Sequence, residues 1–279
     1  MIGTMKPVLN RALLRYRLVL FALLPALSDI LRHRPKLQAD FANTRAIVRI
    51  GAAHQPLATG LCFERGNLKI LKYNAEKLGA KNGQNSKNSK DWDLNLQFSN
   101  PQELNQFFGG QAKLPDISGA LRHPLLLLRT TLLLKELLLL KPGTILNDAR
   151  EQILYVKVTL PLIARALMEL HLGGHPEMSE LVNESPERIY QWVVSDIDCA
   201  VWLRMARGRI QAGRGIYSKR RPFVHYVFPS AAGAYRVFSG HESSMEGLLR
   251  GDVRPDGSPE YSRKLSILLQ KADELLNFG

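Results

Sequence analysis

The sequence predicts an α+β protein of two similar domains in tandem, each a small, mostly antiparallel sheet covered by helices. The first observation is an internal repeat, in which residues 98–110 align without a gap with residues 228–240 at an offset of 130. The second is a shared order of elements: a long helix, short strands, a short helix, a last strand and a closing helix. The length of 279 residues suffices for two domains, which we expect over residues 1–142 and 143–279.

A long apolar helix is expected at the start of each half, over about residues 10–34 and 148–172. The strands that follow are short runs of alternating or β-branched residues. They are expected in the first half at 46–50, 57–63, 67–72 and 93–98, and in the second half at 197–205, 209–217 and 223–228. Residues 76–90, rich in Lys, Asn and Ser, predict an exposed loop insertion in the first half only.

The repeated motif predicts a short helix that ends at Gly110 in the first half and at Gly240 in the second. Glycine suits the C-terminal end of a helix because it adopts the left-handed conformation without strain. A last strand is expected near residues 119–122 and 248–254. In this alignment Gly119 corresponds to Gly251, at an offset of 132.

A helix is expected to close each half. In the second half Ser258 is a suitable N-cap and Pro259 a suitable first residue, and apolar residues follow at helical spacing. In the first half the corresponding segment, Leu125–Leu140, has 11 leucines in 16 positions and is apolar almost all round. Such a helix needs cover on more than one side, from the other half, from a partner protein or from a lipid.

The charge of the chain is unevenly distributed. The net charge is +13; residues 1–140 contain 20 basic and 9 acidic residues, whereas residues 141–279 contain 18 and 16. The first half is therefore expected to face an anionic partner, either a membrane surface or a nucleic acid. The alternative is a basic surface that only maintains solubility.

The N-terminal segment places the apolar stretch Leu18–Leu27 between two groups of cations. We expect an amphipathic helix on an anionic membrane surface, with a helix packed on its own domain as the alternative. A cleaved signal peptide is disfavoured, because Leu24-Pro25 recurs inside the chain as Leu160-Pro161. Neither this stretch nor the leucine-rich segment is long enough to cross a bilayer. The candidate membrane-surface residues are Arg11, Arg15, Arg17, Arg32 and Arg34.

Signals for catalysis or for a bound metal are weak. Two cysteines, Cys62 and Cys199, do not correspond in the repeat and are expected to be small core residues. His171 and His175 have helical spacing, but two glycines separate them and no Glu or Cys partner has ligand spacing. Phosphate-binding, dinucleotide-binding and serine-nucleophile motifs are absent from the sequence. We therefore expect no enzyme activity, no cofactor and no metal.

A second basic cluster lies on an expected hairpin of the second half. Phosphate contact with a lipid headgroup or an RNA is one interpretation. Few aromatic residues accompany the cluster, so a solvated strand edge is favoured and a nucleic-acid partner is disfavoured. The members of the cluster are Arg204, Arg207, Arg209, Arg214, Lys219, Arg220 and Arg221.

Each half resembles the sterol carrier protein two family, which has a small α+β lipid-binding fold. The resemblance depends on the motif F-x₅-[LA]-x₃-F-x-G after a strand, at Phe98–Gly110 and Phe228–Gly240, followed by a glycine-containing strand and a long helix. It is best over residues 204–276 and covers about 60–140 in the first half. The leading helices are similar to those of bacterial accessory proteins of ubiquinone synthesis. The family implies an apolar tunnel between sheet and helices, and it implies no enzymatic activity.

The resemblance and the charge together predict non-catalytic binding or transfer of a lipid, sterol-like molecule or isoprenoid quinone at a membrane surface. The alternatives are a scaffold protein of a lipid-quinone pathway, with a partner held at Leu125–Leu140, and a basic RNA-associated protein. Two cysteines favour a reducing compartment, so a cytoplasmic, peripherally membrane-associated location is expected. The candidate ligand-lining residues, whose alternative role is ordinary core, are Phe98, Phe107, Phe108, Phe228, Tyr235, Phe238, Leu265 and Leu268.

Overall fold

The computed structural model describes residues 10–74, 92–111, 114–141, 143–240 and 243–276, so the predicted insertion at 76–90 lies outside the described residues. The helical segments of the first half are α1 (Arg11–Leu18), a π-helical turn (Val19–Leu23), α2 (Ala26–His33), α3 (Pro35–Asp40), α4 (Pro101–Phe108), α5 (Pro124–Lys135) and a 3₁₀ turn (Glu136–Leu140). Its strands are β1 (Arg45–Ala52), β2 (Leu57–Glu64), β3 (Asn67–Asn74), β4 (Leu94–Phe98) and β5 (Asp116–Ser118).

The second half repeats this order. Its helices are α6 (Ala149–Leu172), α7 (Pro176–Glu184), α8 (Ala231–Phe238), α9 (Ser244–Arg250) and α10 (Pro259–Leu276). Its strands are β6 (Arg188–Val194), β7 (Cys199–Ala206), β8 (Arg209–Arg214), β9 (Val224–Phe228) and β10 (Arg254–Gly257).

The two halves contain sheets of the same topology. The strand order is β3-β2-β1-β4-β5 in the first half and β8-β7-β6-β9-β10 in the second. The pairs β1–β4 and β6–β9 are parallel, and the other pairs are antiparallel. The chain is therefore an α+β protein with two five-stranded mixed sheets, and the predicted fold class is confirmed at this level.

The strand registers correspond residue for residue. The pairs β1–β2 and β6–β7 have the same register, at an offset of 142 residues in both strands. Across the parallel pairs, Ala52 lies opposite Phe98 and Val194 opposite Phe228. The repeated phenylalanines thus occupy the same place, the last residue of the fourth strand. Gly110 and Gly240 also correspond, because both follow the motif helix with a positive φ, of 79° and 74°.

The last strand differs from the sequence prediction. Gly119 corresponds to Gly257 and not to Gly251, because Gly119 and Gly257 flank or end the fifth strand with φ of 88° and 112°. A Cβ atom at either position would lie 2.2 Å from the carbonyl oxygen of the residue before the fourth strand, Asp93 or Phe223. This close backbone approach requires glycine in both halves. Strand β5 therefore lies wholly outside the predicted segment 119–122, and β10 overlaps the predicted segment 248–254 only at Arg254.

Helix α9 explains why the predicted strand at 248–254 is wrong. Ser243 caps α9 in a capping box with Glu246, and Gly251 ends it in the left-handed conformation. The pattern of a capping box and a terminal glycine was therefore present in the sequence and indicated a helix. Strand β5 lies at Asp116–Ser118, just before the predicted position.

The sequence analysis also missed a central strand, β6. This strand pairs with β7 on one side and β9 on the other, and most of its residues are buried. A strand that is covered on both faces lacks the alternation by which half-buried strands are recognised. The strand predicted from residue 197 instead included the end of the turn before β7, which begins at Cys199.

The first leading helix is not continuous as predicted, because Pro25 interrupts its hydrogen bonding. The backbone N–H of Leu24 donates to Val19 O at 2.9 Å, five residues back, which forms the π-helical turn. The carbonyl of Leu20 then accepts the hydroxyl of Thr59 on β2 at 2.8 Å. The buried Thr59 hydroxyl therefore satisfies a carbonyl that the π-helical turn leaves free.

The leading helices connect the two halves through shared packing. Leu14, Leu18 and Ala22 contribute to the core of the second half. Val19, Leu20 and Phe21 contribute to the core of the first half. The predicted apolar stretch Leu18–Leu27 is buried throughout, within the protein itself. The structure thus agrees with the alternative interpretation, a helix packed on its own protein.

Candidate functional site

The predicted ligand-lining residues of the first half lie in one cluster. Phe98 is buried at the end of β4, and its ring centroid is 5.3 Å from that of Phe107 on α4. The ring of Phe107 in turn meets Phe108 edge to face at 5.2 Å. All three belong to or pack against the first core.

The predicted residues of the second half lie in the second core. The ring centroids of Phe228 and Phe238 are 4.9 Å apart. Tyr235 packs edge to face on Tyr155 at 5.3 Å, and its hydroxyl donates to Thr144 O at 3.0 Å. This hydrogen bond ties the segment between the halves to α8. Leu265 and Leu268 are buried on α10 in the same core.

Two open depressions on the surface are lined by other residues. One of about 340 Å³ is formed by residues 193–200 with Gly215 and Ile216. It contains Cys199, whose thiol pKa is raised to about 11 by burial. A thiol held protonated in this way is a poor nucleophile. The other depression is lined by arginines and is described below.

The predicted membrane-surface arginines divide into two groups. Arg17 forms an ion pair with the buried Glu169 at 2.8 Å, and Arg34 binds both oxygens of Glu151. These two side chains therefore attach the first half to α6. Arg11 and Arg32 are exposed. Arg15 is half-buried, and desolvation lowers its pKa, with the charge of Arg11 adding to the effect.

Two buried carboxylates each bind two cations across the boundary between the halves. The carboxylate of Asp29 on α2 pairs with the guanidinium group of Arg165 of α6 at 3.2 Å and also with that of Arg214 of β8. Glu169 on α6 pairs with Arg17 of α1 and with Lys72 of β3, the latter at 2.6 Å. Each carboxylate thus faces one cation from the opposite leading helix and one from the opposite sheet. We call these the two ion triads; their role is to hold the halves together.

An exposed row of leucines covers one side of α5. Leu125, Leu128 and Leu132 are 54%, 56% and 43% exposed, and Leu121 in the preceding turn is fully exposed. Leu126 and Leu133 on the opposite side are buried in the first core. The three exposed leucines within α5 recur at spacings of three and four, which places them on one face of the helix, and Leu121 lies in the turn before it. We call Leu121, Leu125, Leu128 and Leu132 the leucine face.

A depression of about 360 Å³ lies beside the segment that leads into β1. It is lined by Ala42, Asn43, Arg45 and Arg65, and we call it the arginine depression. The backbone N–H of Arg65 donates to Thr44 O at 3.2 Å, which holds the β2–β3 turn against this segment. Arg129 of α5 reaches the hydroxyl of Thr44 at 3.4 Å and so links the depression to the leucine face.

Sequence reasoning did not name Arg45, Arg65 or Arg129 as site residues. Arg45 and Arg65 line one depression because the β2–β3 turn folds onto the segment after α3, and Arg129 approaches it from α5 through Thr44. The one available signal was the excess of basic residues in the first half.

The second half carries different side chains at the corresponding positions. Arg45 corresponds to Glu187 at the offset of 142 residues that the first three strands share. Glu187 pairs with Arg204 at 2.7 Å and with Arg220 at 3.0 Å, and the Arg204 hydrogen bond lowers its pKa. When α5 and α10 are aligned at their first prolines, Leu125 and Leu128 correspond to charged residues of α10, Glu260 and Arg263.

The second basic cluster is largely paired with acids. Arg204 and Arg220 share Glu187, and Arg221 pairs with Asp256 at 3.2 Å. Arg214 belongs to one of the ion triads. Four of the seven members of the cluster are therefore paired with carboxylates of the protein.

The remaining titratable groups are relevant as possible metal ligands and for shifted pKa values. Across the described ranges, no three His, Cys, Asp or Glu side chains are grouped so that they could hold a metal ion. Burial lowers the pKa of His175 and of His225. In the part of the chain that the structure describes, no helix is long and apolar enough to span a membrane.

Comparisons with known proteins add little. No family model matches the chain, and no curated protein matches it. Among solved structures, a double mutant of the sec-alkyl sulfatase PisA1 shares 11% identity over 47% of this chain and 25% of that chain, with a TM-score of 0.25. The stereoselective inverting sec-alkylsulfatase Pisa1 from Pseudomonas sp. shares 12% identity over 55% of this chain and 28% of that chain, with a TM-score of 0.24. The chain thus spans about a quarter of each solved protein, and these scores support no functional argument.

Proposed function

We propose that this protein is a non-catalytic protein that binds an anionic membrane surface through the leucine face, with each half a sterol-carrier-type domain. The observation that carries the proposal is the leucine face, with three exposed leucines on α5 and Leu121 in the turn before it, beside cations that lack acidic partners. Arg122 and Lys135 are exposed at the two ends of this row. Within the described residues, neither forms an ion pair.

The magnitudes are sufficient for reversible binding. Burying apolar surface contributes roughly 25 cal/mol per Å², so four partly exposed leucines contribute on the order of a few kcal/mol. Each cation near an anionic surface adds about 1 kcal/mol. Together these terms favour a peripheral association that salt weakens.

The sterol-carrier assignment is supported by the order of elements. In both halves the motif helix follows the fourth strand and precedes a fifth strand and a long helix, as the resemblance requires. Binding of an apolar ligand inside the second half belongs to the same proposal. The scaffold alternative uses the same leucine face, but it gives the neighbouring cations no role.

Flotation with vesicles tests the proposal. The protein is expected to float with vesicles that contain phosphatidylserine and much less with phosphatidylcholine alone. The substitution Leu132→Glu should weaken flotation by about tenfold, because it places a charge in the apolar interface. Ile267→Glu on α10 is the matched control, since Ile267 has the same 43% exposure and the corresponding position. Equal flotation of both variants, or no dependence on lipid charge in the wild type, would contradict the proposal.

A further inference from the structure

We propose that the arginine depression binds the phosphomonoester group of an anionic lipid, as in phosphatidic acid. The inference rests on the proposed membrane function and adds a headgroup preference to it. The depression is a concave site of about 360 Å³, a volume that suits a small headgroup. Guanidinium groups bind phosphate through two parallel hydrogen bonds, so arginine is the residue type that this chemistry requires.

The backbone around the depression is fixed before any ligand binds. Gly66 N–H donates to Phe41 O at 3.0 Å, next to the bond from Arg65 to Thr44. The rings of Phe41 and Phe63 stack with centroids 4.3 Å apart beneath this turn. Arg65 itself adopts a positive φ of 50°, which is uncommon for a residue with a side chain. The two arginines are therefore presented from a rigid frame.

The charge of the depression is not neutralised by the protein. In the described ranges, Arg45, Arg65 and Arg129 have no carboxylate within 4.0 Å, whereas most arginines of the second basic cluster pair with acids. Two guanidinium groups line the concave surface, and that of Arg129 contacts the adjacent Thr44, so the local charge favours a dianion. A phosphomonoester carries nearly two negative charges at neutral pH, more than a phosphodiester headgroup does.

The second half shows what the same frame looks like without the site. The turn at Arg207 repeats the turn at Arg65, with a φ of 46°. At the position of Arg45, however, Glu187 occupies the frame and binds Arg204 of β7 and Arg220 of the segment between β8 and β9. The same backbone turn thus occurs in both halves, but only the first half has an arginine at this position beside it.

Location connects the depression to the proposed membrane surface. Arg129 follows Leu128 in α5, and its guanidinium contacts Thr44, the residue between Asn43 and Arg45. A lipid whose acyl chains contact the leucine face therefore has a cationic depression within reach of its headgroup.

Two substitutions test the site with a matched control. Arg45→Glu copies the second half, and Arg65→Asn removes the charge while asparagine tolerates the positive φ. Arg207→Asn makes the same change in the corresponding turn of the second half, where Glu187 stands at the position of Arg45. Affinity is measured by flotation with vesicles that contain phosphatidic acid, and with phosphatidylserine vesicles matched for surface charge. Thermal unfolding of each variant checks that the protein remains folded.

Both substitutions should weaken binding to phosphatidic acid vesicles by about tenfold, and binding to the phosphatidylserine vesicles by no more than about twofold. Arg207→Asn should leave both unchanged. Equal losses on both lipids, or an equal effect of Arg207→Asn, would overturn the inference and leave only diffuse electrostatic attraction.

Titration with glycerol 3-phosphate separates this inference from the proposed function. If the wild type ignores vesicles but binds glycerol 3-phosphate, and Arg45→Glu abolishes that binding, the membrane function fails and the depression is a site for soluble phosphomonoesters. If the wild type binds vesicles through Leu132 without any preference for phosphatidic acid, the membrane function stands and the headgroup site is overturned.

Discussion

Arg45 in the first half and Glu187 in the second occupy the same position in two sheets of the same topology, yet they carry opposite charges. The contrast extends to the closing helices, where Leu125 and Leu128 of α5 correspond to Glu260 and Arg263 of α10. At these positions the second half is thus paired and charged, whereas the first half is apolar and cationic; elsewhere the second half also exposes apolar side chains, such as Leu249 and Ile267. Since the frameworks coincide, the difference lies in the exposed side chains.

The comparison shows that the buried positions of the two halves are alike, whereas their exposed positions differ. Buried positions of α5 and α10 follow the same pattern, as in Thr130 with Leu265 and Leu133 with Leu268. Exposed positions are constrained mainly by function and solubility, so they are free to diverge. The exposed leucines at positions 125 and 128, where α10 has charged residues, are therefore the more informative difference.

The first of the large expected effects weakens the connection between the halves. Glu169→Ala removes the carboxylate that Arg17 and Lys72 share and should lower the free energy of unfolding by about 3 kcal/mol. This value is at the lower end for buried pairs, because Lys72 is 48% exposed and can rehydrate. The measurement is the denaturant midpoint of urea unfolding.

The mirror substitution Asp29→Ala should have a similar cost, because Asp29 has the corresponding pair of partners. Glu64→Ala is the control, since Glu64 forms an exposed pair with Lys69 and should cost no more than about 0.5 kcal/mol. A large effect at one triad and none at the other would show that the two halves are not held symmetrically.

A second prediction concerns the interior and the apolar ligand. Leu104 and Ala234 correspond in the repeated motif, and both are fully buried. Leu104→Ala should therefore cost about 2–5 kcal/mol through the cavity that it creates. If the second half binds an apolar ligand where the smaller Ala234 leaves room, Ala234→Leu should abolish uptake of a fluorescent fatty acid at little cost in stability.

The result of Ala234→Leu distinguishes a ligand site from a filled core. Overpacking a filled core would cost about 1–3 kcal/mol and change no uptake, because none would occur. That outcome would remove the ligand from the proposal and leave the leucine face as its only basis.

Much of the framework could be predicted from the sequence because local signals specified it. The ungapped match at Phe98 and Phe228 located the fourth strand and the motif helix, and Pro259 located the start of α10. Strand β6 was missed because burial on both faces removes its alternation. Gly119 was aligned with Gly251 because sequence spacing cannot show which glycine lies against a neighbouring carbonyl.

The candidate site was less predictable, for a physical reason. The leucine-rich segment was evident, but which leucines are exposed depends on how α5 lies on the sheet. Arg17 and Arg34 were expected at a membrane surface, whereas they pair with Glu169 and Glu151 of the other half. Ion pairing between distant segments leaves no periodic signal in the sequence, and the same holds for the convergence at the arginine depression.

The smallest expected effect is a dependence of stability on pH that arises from two histidines of the second half. Burial lowers the pKa of His175 and of His225 below the ordinary value of about 6.5. As the pH falls, these histidines bind protons in the unfolded chain before they do so in the folded protein. The free energy of unfolding therefore has its full value above about pH 6.5 and decreases progressively below it. Asp256, which lies opposite His225, works against the shift without cancelling it.

His225→Asn places in the second half the residue that the first half has at this position, Asn95. The variant should lose less stability than the wild type between neutral and mildly acidic pH, because its side chain does not titrate. Thermal unfolding across this range is the measurement, and His123→Asn is the control because the side chain of His123 is 41% exposed. A steeper loss for His225→Asn than for the wild type would contradict the assignment, since it would mean that the protonated imidazole is the form that the fold stabilises.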